Sequence, residues 1–320
     1  MDSITQGVLG ATIGEAILGK KMGHKAAIAG AIIATLPDLD VLLYLVYDKY
    51  DMLSIHRGFS HSICFSLIGA LLISYILSHT KWFKDITVFS LLLFSWLVLF
   101  THILLDAFTS YGTQLLLPFS NQRVGFDSIN VVDPIYTLPL LIGLLLSVWV
   151  YRSNTNRSRY NQYGLMISSL YLIFTLINKA QVKSAIAQEL ALQDIEYDAL
   201  LTMPVGMANI KWYGVAKGQD SIFMLKHSIL SGTEKRIEPF SINESYLLDI
   251  EEEVADKMRW FAKGFYTVEK ENETIRFYNL QVDMRGIVKV GDKKAPTKGY
   301  FKLLNVNGQT QLTSGTLKNN

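Results

Sequence analysis

Four short stretches of this 320-residue chain carry side chains that can hold a metal ion. His102 and Asp106 stand four apart within Thr101-His102-Ile103-Leu104-Leu105-Asp106. On a helix that spacing puts both on one face, about one turn apart. A neutral imidazole and a carboxylate so placed can bind one hard or borderline cation. Alone, the pair also reads as ordinary polarity at a helix end. Asp38 and Asp40 flank Leu39 after the helix-breaking Pro37, so both can turn inward from a loop, although such a pair also makes a solvated turn. His56 and His61 are five apart across Gly58 and need not share a helical face; histidines of this kind also sit at membrane interfaces. Asp2, Thr5 and Gln6 open the chain. With nitrogen and oxygen donors and no thiolate, Zn²⁺ or Mn²⁺ fits, as one or two ions. Arg57 lies between the histidines; its fork can hold a substrate phosphate or reach to headgroup level.

The frame for these residues is apolar. Half of the chain is hydrophobic, 18% is charged and mean hydropathy is +0.23. That is too apolar for an ordinary soluble enzyme and too poor in charge for a disordered chain. Residues 1–179 contain 12 Lys/Arg and 10 Asp/Glu, whereas residues 180–320 contain 18 of each. A membrane half therefore precedes a soluble half. The net charge of +2 argues against a nucleic-acid partner. The single Cys64 excludes a disulfide framework and a cysteine zinc site and reads as a small buried hydrophobe.

Residues 62–78, 86–105, 131–150 and 163–178 are nearly uncharged and close to the length that crosses a ~30 Å hydrocarbon layer. Two shorter apolar stretches precede them: residues 4–19, then 26–36, which runs into Pro37 and resumes at 41–47. Their Gly7, Gly10, Gly14, Gly19 and Gly30 suit close helix packing. The expected fold is an all-α membrane bundle of about six helices, the first two short, over residues 1–178. A small soluble α+β domain over 179–320 follows. If all six helices cross, Lys20, Lys21, Lys25, Lys81, Lys84, Arg152, Arg157 and Arg159 share one side, which the positive-inside rule makes cytoplasmic. Asp2, Asp38, Asp40, His56, His61, His102 and Asp106 all fall on the other side. That sorting turns four weak motifs into one expected metal site at the outer leaflet, with both termini and the soluble domain outside.

In the soluble half, the last span continues as a helix to about residue 194, ending before Met203-Pro204. Strands are expected at 209–215, 221–226, 274–283 and 299–306, with a helix at 251–261. Trp212 and Tyr213 read as core residues. No catalytic motif or internal repeat stands out, and Lys318-Asn319-Asn320 should fray. Thr109-Ser110-Tyr111-Gly112-Thr113-Gln114, directly after the HxxxD helix, is either a phosphate-shaping loop or a plain helix cap and turn. Asp127 and Asp133 fall in the next outer loop, where Asp133-Pro134 reads as a turn. Glu15 reads as a helix–helix hydrogen-bonding residue.

The opening MDSITQGVLGATIGEAILGKK, then TLPDLD, HRGFSHS and HILLDAFTSYGTQLLLPFS, resembles the YdjM-type (DUF457) membrane-bound metal-dependent hydrolases over about residues 1–150. The resemblance implies an inner-membrane helical protein with a metal-dependent hydrolase site. Many relatives carry His where this chain has Gln6. The HxxxD element is also similar to one in zinc-dependent phospholipase C enzymes, an analogy of motif alone. The expected function is hydrolysis of a phosphate ester or similar bond in a lipid or membrane-proximal substrate. His56, His61, His102, Asp106, Asp38, Asp40 and Asp2 are the candidate ligands; Asp38, Asp40 and Arg57 are the candidate catalytic groups, one Asp acting as general base. Membrane lipids are the expected partners. The alternative is a non-catalytic membrane protein with a structural metal and a partner-binding C-terminal domain. A transporter is less favoured, because no repeated half is visible.

Overall fold

The computed structural model describes residues 1–151, 154, 156–282, 287–290, 293–306 and 309–317. Arg152, Asp283 and Lys318-Asn319-Asn320 lie outside the described residues. The chain divides into two compact units. One comprises Met1–Tyr47 and Ser54–Leu176; the other comprises Asp48–Leu53 and Ile177–Asn320.

The first unit is helical. Helix α1 spans Ser3–Met22; its start is fixed by Asp2, whose side chain accepts from Thr5 N, the usual use of Asp at an N-cap. Helix α2 (His24–Thr35) ends where Pro37 opens a 3-10 helix, Pro37–Leu45, since proline removes a donor and disfavours helix just before it. A short α3 (Lys49–Ile55) and a single 3-10 turn, Phe59–His61, lead into α4 (Ile63–Ser78). Then come α5 (Val88–Ala107) and α6 (Pro134–Leu145), the latter extended by a π turn at Leu146–Val150. Helix α7 (Ser158–Leu192) runs from the first unit into the second. α1 and α2 touch backbone to backbone: a Cβ on Gly10 would lie 2.3 Å from the carbonyl oxygen of Gly30, so only glycine permits this approach. Leu9, Ile13, Leu18, Ile33, Phe94, Val98, Leu99 and Leu140 form the interior. Leu67, Leu71, Phe89, Ile142, Leu170 and Ile173 are exposed, as lipid-facing side chains must be in a membrane helix bundle.

Among the described residues, α5 and α7 are long and apolar enough to cross a membrane. The number rises to four if two bent pairs each count as one span: α2 with its 3-10 extension, bent by 46°, and the 49–61 segment with α4, bent by 55°. The expected short first helix is instead 20 residues long, because the Lys20-Lys21 charge does not stop helix formation; Gly23, at φ +62°, does.

The second unit is rich in β-sheet. Strands β1 (Ala199–Val205), β2 (Lys211–Lys217), β3 (Ser221–Ser228), β4 (Gly232–Thr233) and β5 (Glu238–Ser241) make one antiparallel sheet. Its order is β1-β2-β3-β4, with β5 also pairing β3. Helix α8 (Glu252–Phe261) precedes β6 (Tyr266–Glu271), β7 (Thr274–Asn279), β8 (Val288–Val290), β9 (Lys293–Ala295), β10 (Gly299–Val306) and β11 (Gln309–Thr316). A second sheet has the order β11-β10-β7-β6, and β8 pairs β9. Val182, Ile186 and Leu190 of α7 pack on Trp212, Ala216 and Leu225 of the first sheet, so Trp212 is core. In the 48–53 segment, Tyr50 lies under the Lys257 ammonium, 3.6 Å from its ring centroid.

Candidate metal centre

Three elements of the helical unit bring their polar ends together. α5 supplies His102 and Asp106, both fully buried. The 3-10 helix opened by Pro37 supplies Asp38 and Asp40 on either side of an exposed Leu39. The single turn before α4 supplies His61, also fully buried. The approach to that turn is unusual: Arg57 has φ +55°, and a Cβ on the next residue, Gly58, would lie 2.7 Å from the carbonyl oxygens of Ser54 and Ile55. Arg57 N donates to Asp40 Oδ2 at 2.9 Å, and its carbonyl accepts from Gln114 N at 3.1 Å.

Asp38, His61, His102 and Asp106 converge on one point, each offering one ligand atom within 4.8 Å of the others. His61 Nε2 lies 3.2 Å from Asp106 Oδ2 and 3.4 Å from Asp38 Oδ1. His102 Nε2 lies 3.5 Å from Asp38 Oδ1, 3.8 Å from Asp106 Oδ2 and 3.4 Å from His61 Nε2. Ligand bonds of ~2.0–2.2 Å in tetrahedral geometry place donor atoms about 3.3–3.6 Å apart. The observed separations scatter around that range, so these four side chains fit a small divalent cation.

Hydrogen bonding around the cluster says the same. Asp106 Oδ1 faces Arg57 Nη2 at 3.2 Å, Gln6 Nε2 at 3.2 Å and the α-amine of Met1. Its other oxygen, Oδ2, is buried with no hydrogen-bond partner and points at the imidazoles. Ser60 Oγ donates to Asp40 Oδ2 at 3.1 Å and so must accept from His61 Nδ1, 2.9 Å away. That chain of donors assigns the proton of neutral His61 to Nδ1 and turns the Nε2 lone pair toward the carboxylates. Lone pairs meeting at such distances in a buried site suit a cation between them. His102 Nδ1 is buried with no partner among the described residues, so none of them orients that ring through Nδ1.

The remaining candidates occupy a surrounding layer. His56 Nδ1 pairs with Asp40 Oδ1 at 3.0 Å, and both sit outside the four-residue group. Asp2 spends its carboxylate on Thr5 N and Thr5 Oγ1, at 2.9 and 2.6 Å. Asp133 caps α6 and accepts from Tyr171 Oη at 2.8 Å. Arg57 Nη1 donates to Thr109 Oγ1 at 2.9 Å, and its guanidinium lies 5.1 Å from the Tyr111 ring centroid. Arg123 stacks on the same ring at 4.6 Å. The Thr109–Gln114 segment thus wraps the buried arginine. Sequence reasoning passed over Ser60 and Arg123, and named Tyr111 only as part of the 109–114 loop. Ser60 alone carried a signal, its place beside His61.

The family model described as YdjM inner membrane protein matches residues 1–182, and the chain belongs to that family. It is similar to the uncharacterized protein YfhP of Bacillus subtilis (strain 168), 30% identical over 190 residues, which is 57% of this chain and 56% of that protein. The chain thus spans little more than half of YfhP. It is also similar to the inner membrane protein YbcI of Escherichia coli (strain K12), 34% identical over 158 residues, 46% of this chain and 90% of that one. No solved structure matches. Family and relative place the chain in the inner membrane.

Proposed function

We propose that this chain is a metal-dependent hydrolase that cleaves a phosphate ester or similar bond in a lipid or membrane-proximal substrate. The observation that carries this reading is the division of labour on Asp106, with one oxygen held by donors and the other turned to two imidazoles and a second carboxylate. Two nitrogens and two carboxylate oxygens at tetrahedral spacing suit Zn²⁺, then Mn²⁺, and one ion rather than two. Asp38, His61, His102 and Asp106 would hold such an ion, which would supply Lewis acidity toward a phosphoryl oxygen and a bound water of pKa near ~7. Asp38, with a side chain 22% exposed, is the ligand at the substrate's edge. Asp40 has both oxygens engaged, so it orients His61 and His56 and leaves proton transfer to His56. Arg57 Nε is buried with no partner and is the donor for a substrate phosphate oxygen.

Metal analysis of the purified full-length chain tests this. The expected result is about one divalent ion per chain, lost in His102→Ala; a metal-free wild type sinks the proposal. A second reading rests on the ligand count. Catalytic zinc sites usually keep three protein ligands and an open position, whereas four close the shell. Metal that is retained without any metal-dependent release of phosphate from phosphatidic acid or p-nitrophenyl phosphate would favour that structural role.

The topology belongs to the same proposal: six crossings, with the metal end and the C-terminal domain on the extracytoplasmic side. Support comes from Lys20, Lys21, Lys25, Lys81, Lys84, Arg157 and Arg159, which sit at the helix ends opposite the cluster. With Cys64 replaced, a membrane-impermeant thiol reagent in intact cells should label Glu273→Cys and spare Asn156→Cys. The reverse pattern would put site and domain in the cytoplasm.

A further inference from the structure

The end of the helical unit away from the metal cluster holds a cavity of about 800 Å³. Gln6 of α1 reaches the cluster, and Gly19 of the same helix lines the cavity. Thirteen helical residues separate them, about 20 Å at ~1.5 Å per residue, so the two sites are distinct. The cavity walls are apolar, including Ile28, Leu144, Val148 and Trp149, and the polar lining is basic: Lys20, His24 and Arg157.

Arg157 is fixed from beneath. Its Nη2 lies 3.1 Å from Glu15 Oε1 and donates to the Gly19 carbonyl at 2.6 Å. Ser147 Oγ holds the same Glu15 oxygen at 3.0 Å. Glu15 is 1% exposed, so the pair is a buried strut that anchors one edge of the guanidinium while the side chain lines the cavity. Lys20 and Lys21 have no acidic partner among the described residues. Helix α2 begins at His24, a cavity-lining residue, with no capping side chain, and a helix N-terminus favours negative charge. Trp149 is 75% exposed, and Trp82 lies 5.4 Å from the Lys25 ammonium. Exposed tryptophan beside lysine is the composition of a headgroup layer.

We propose that this cavity binds an anionic phospholipid, its phosphate between Lys20 and Arg157 and its acyl chain along Ile28, Leu144 and Trp149. A free anion would leave the apolar wall bare. A zwitterionic lipid would bring its own cation against the lysines. Basic pockets between membrane helices recognise acidic headgroups in this way, each Lys or Arg adding to the attraction.

The test uses the full-length chain, reconstituted with phosphatidylglycerol and phosphatidylcholine in equal amounts and released for native mass spectrometry. Wild type should retain one phosphatidylglycerol in preference to phosphatidylcholine. Lys20→Gln with Arg157→Gln should cut that preference roughly thirtyfold. If loss of Arg157 strands Glu15 and the variant does not fold, Lys20→Gln alone should cut it roughly fivefold. His102→Ala should leave it unchanged. Equal retention of both lipids, an unaltered preference in Lys20→Gln, loss in His102→Ala, or displacement of the lipid by inorganic phosphate alone would each overturn the proposal.

Discussion

The helical unit and the β-rich unit treat charge in opposite ways. In the second unit, charged side chains are paired at the surface: Arg259 with Glu244 and Asp256, Lys270 with Asp249, Lys294 with Glu238. These charges satisfy one another at or near the surface, and pairs of this kind contribute little. In the first unit, ionisable groups are few, but His61, His102 and Asp106 are fully buried and converge with lone pairs facing one another. Burying polar atoms without partners costs several kcal/mol, a cost that a bound cation would offset. The contrast separates residues that finish a surface from residues that could hold a metal ion.

Chelation should break the comparison most sharply. If a metal completes the cluster, its removal withdraws the linkage energy from the helical unit alone. With metal at ~1,000 times its dissociation constant that is about 4 kcal/mol. Hydrogen exchange of the full-length chain should then show faster exchange at residues 59–63 and 100–108 and no change in β2 and β3. Equal loss in both units, or none in either, would remove the distinction.

A smaller effect should come from Ser60→Ala. Ser60 touches no ligand atom of the four-atom cluster but carries the hydrogen bond that orients His61 through Asp40. Removing such an outer partner typically weakens metal binding by ~10–100-fold. Competition with a chromophoric chelator would measure it. Ser66→Ala should leave affinity at wild type, because its hydroxyl bonds only the Ile63 carbonyl, at 2.7 Å. Equal affinities for Ser60→Ala and Ser66→Ala would mean that Ser60 orients nothing.

Much of this site was legible in the sequence because its residues sit at breaks in apolar runs. His102 and Asp106 obey helical spacing, and α5 delivers both. Asp38 and Asp40 were read as equivalent, but on a 3-10 turn residues two apart point in different directions, so one faces the cluster and the other holds its surroundings. What linked Asp40 to His61, the Ser60 hydroxyl, has no periodicity to betray it. The fold was less legible in the second half. β1 was missed because Pro204 reads as a breaker; it lies at the sheet edge, paired with β2 alone among the described residues, where a missing donor is tolerated. β11, Gln309–Thr316, is polar and mostly exposed, so no alternation marked it. β6 ends in Glu269-Lys270-Glu271, a run that reads as a solvated turn.

The smallest expected effect lies in the β-rich unit and checks that its charges behave as ordinary surface pairs. Glu238, at the start of β5, accepts from Lys294 Nζ at 2.7 Å on both oxygens and pairs with Arg236 Nε at 2.5 Å. The Lys294 hydrogen bond, followed by the Arg236 contact, holds its carboxyl below the usual glutamate range. A folded-state value below the unfolded one means that the unfolded chain binds more protons as pH falls. The stabilisation is therefore present above the ordinary glutamate value of ~4.3 and is lost as pH drops through the folded value. Because the pair is partly solvated, its worth is below about 1 kcal/mol. Glu238→Gln should lower the protection of β3 and β5 amides slightly at about pH 6 and converge on wild type as pH falls through the folded value. A difference that persists at low pH, or one that follows chelation, would mean that Glu238 does more than close a surface pair, and the contrast between the two units would have to be redrawn.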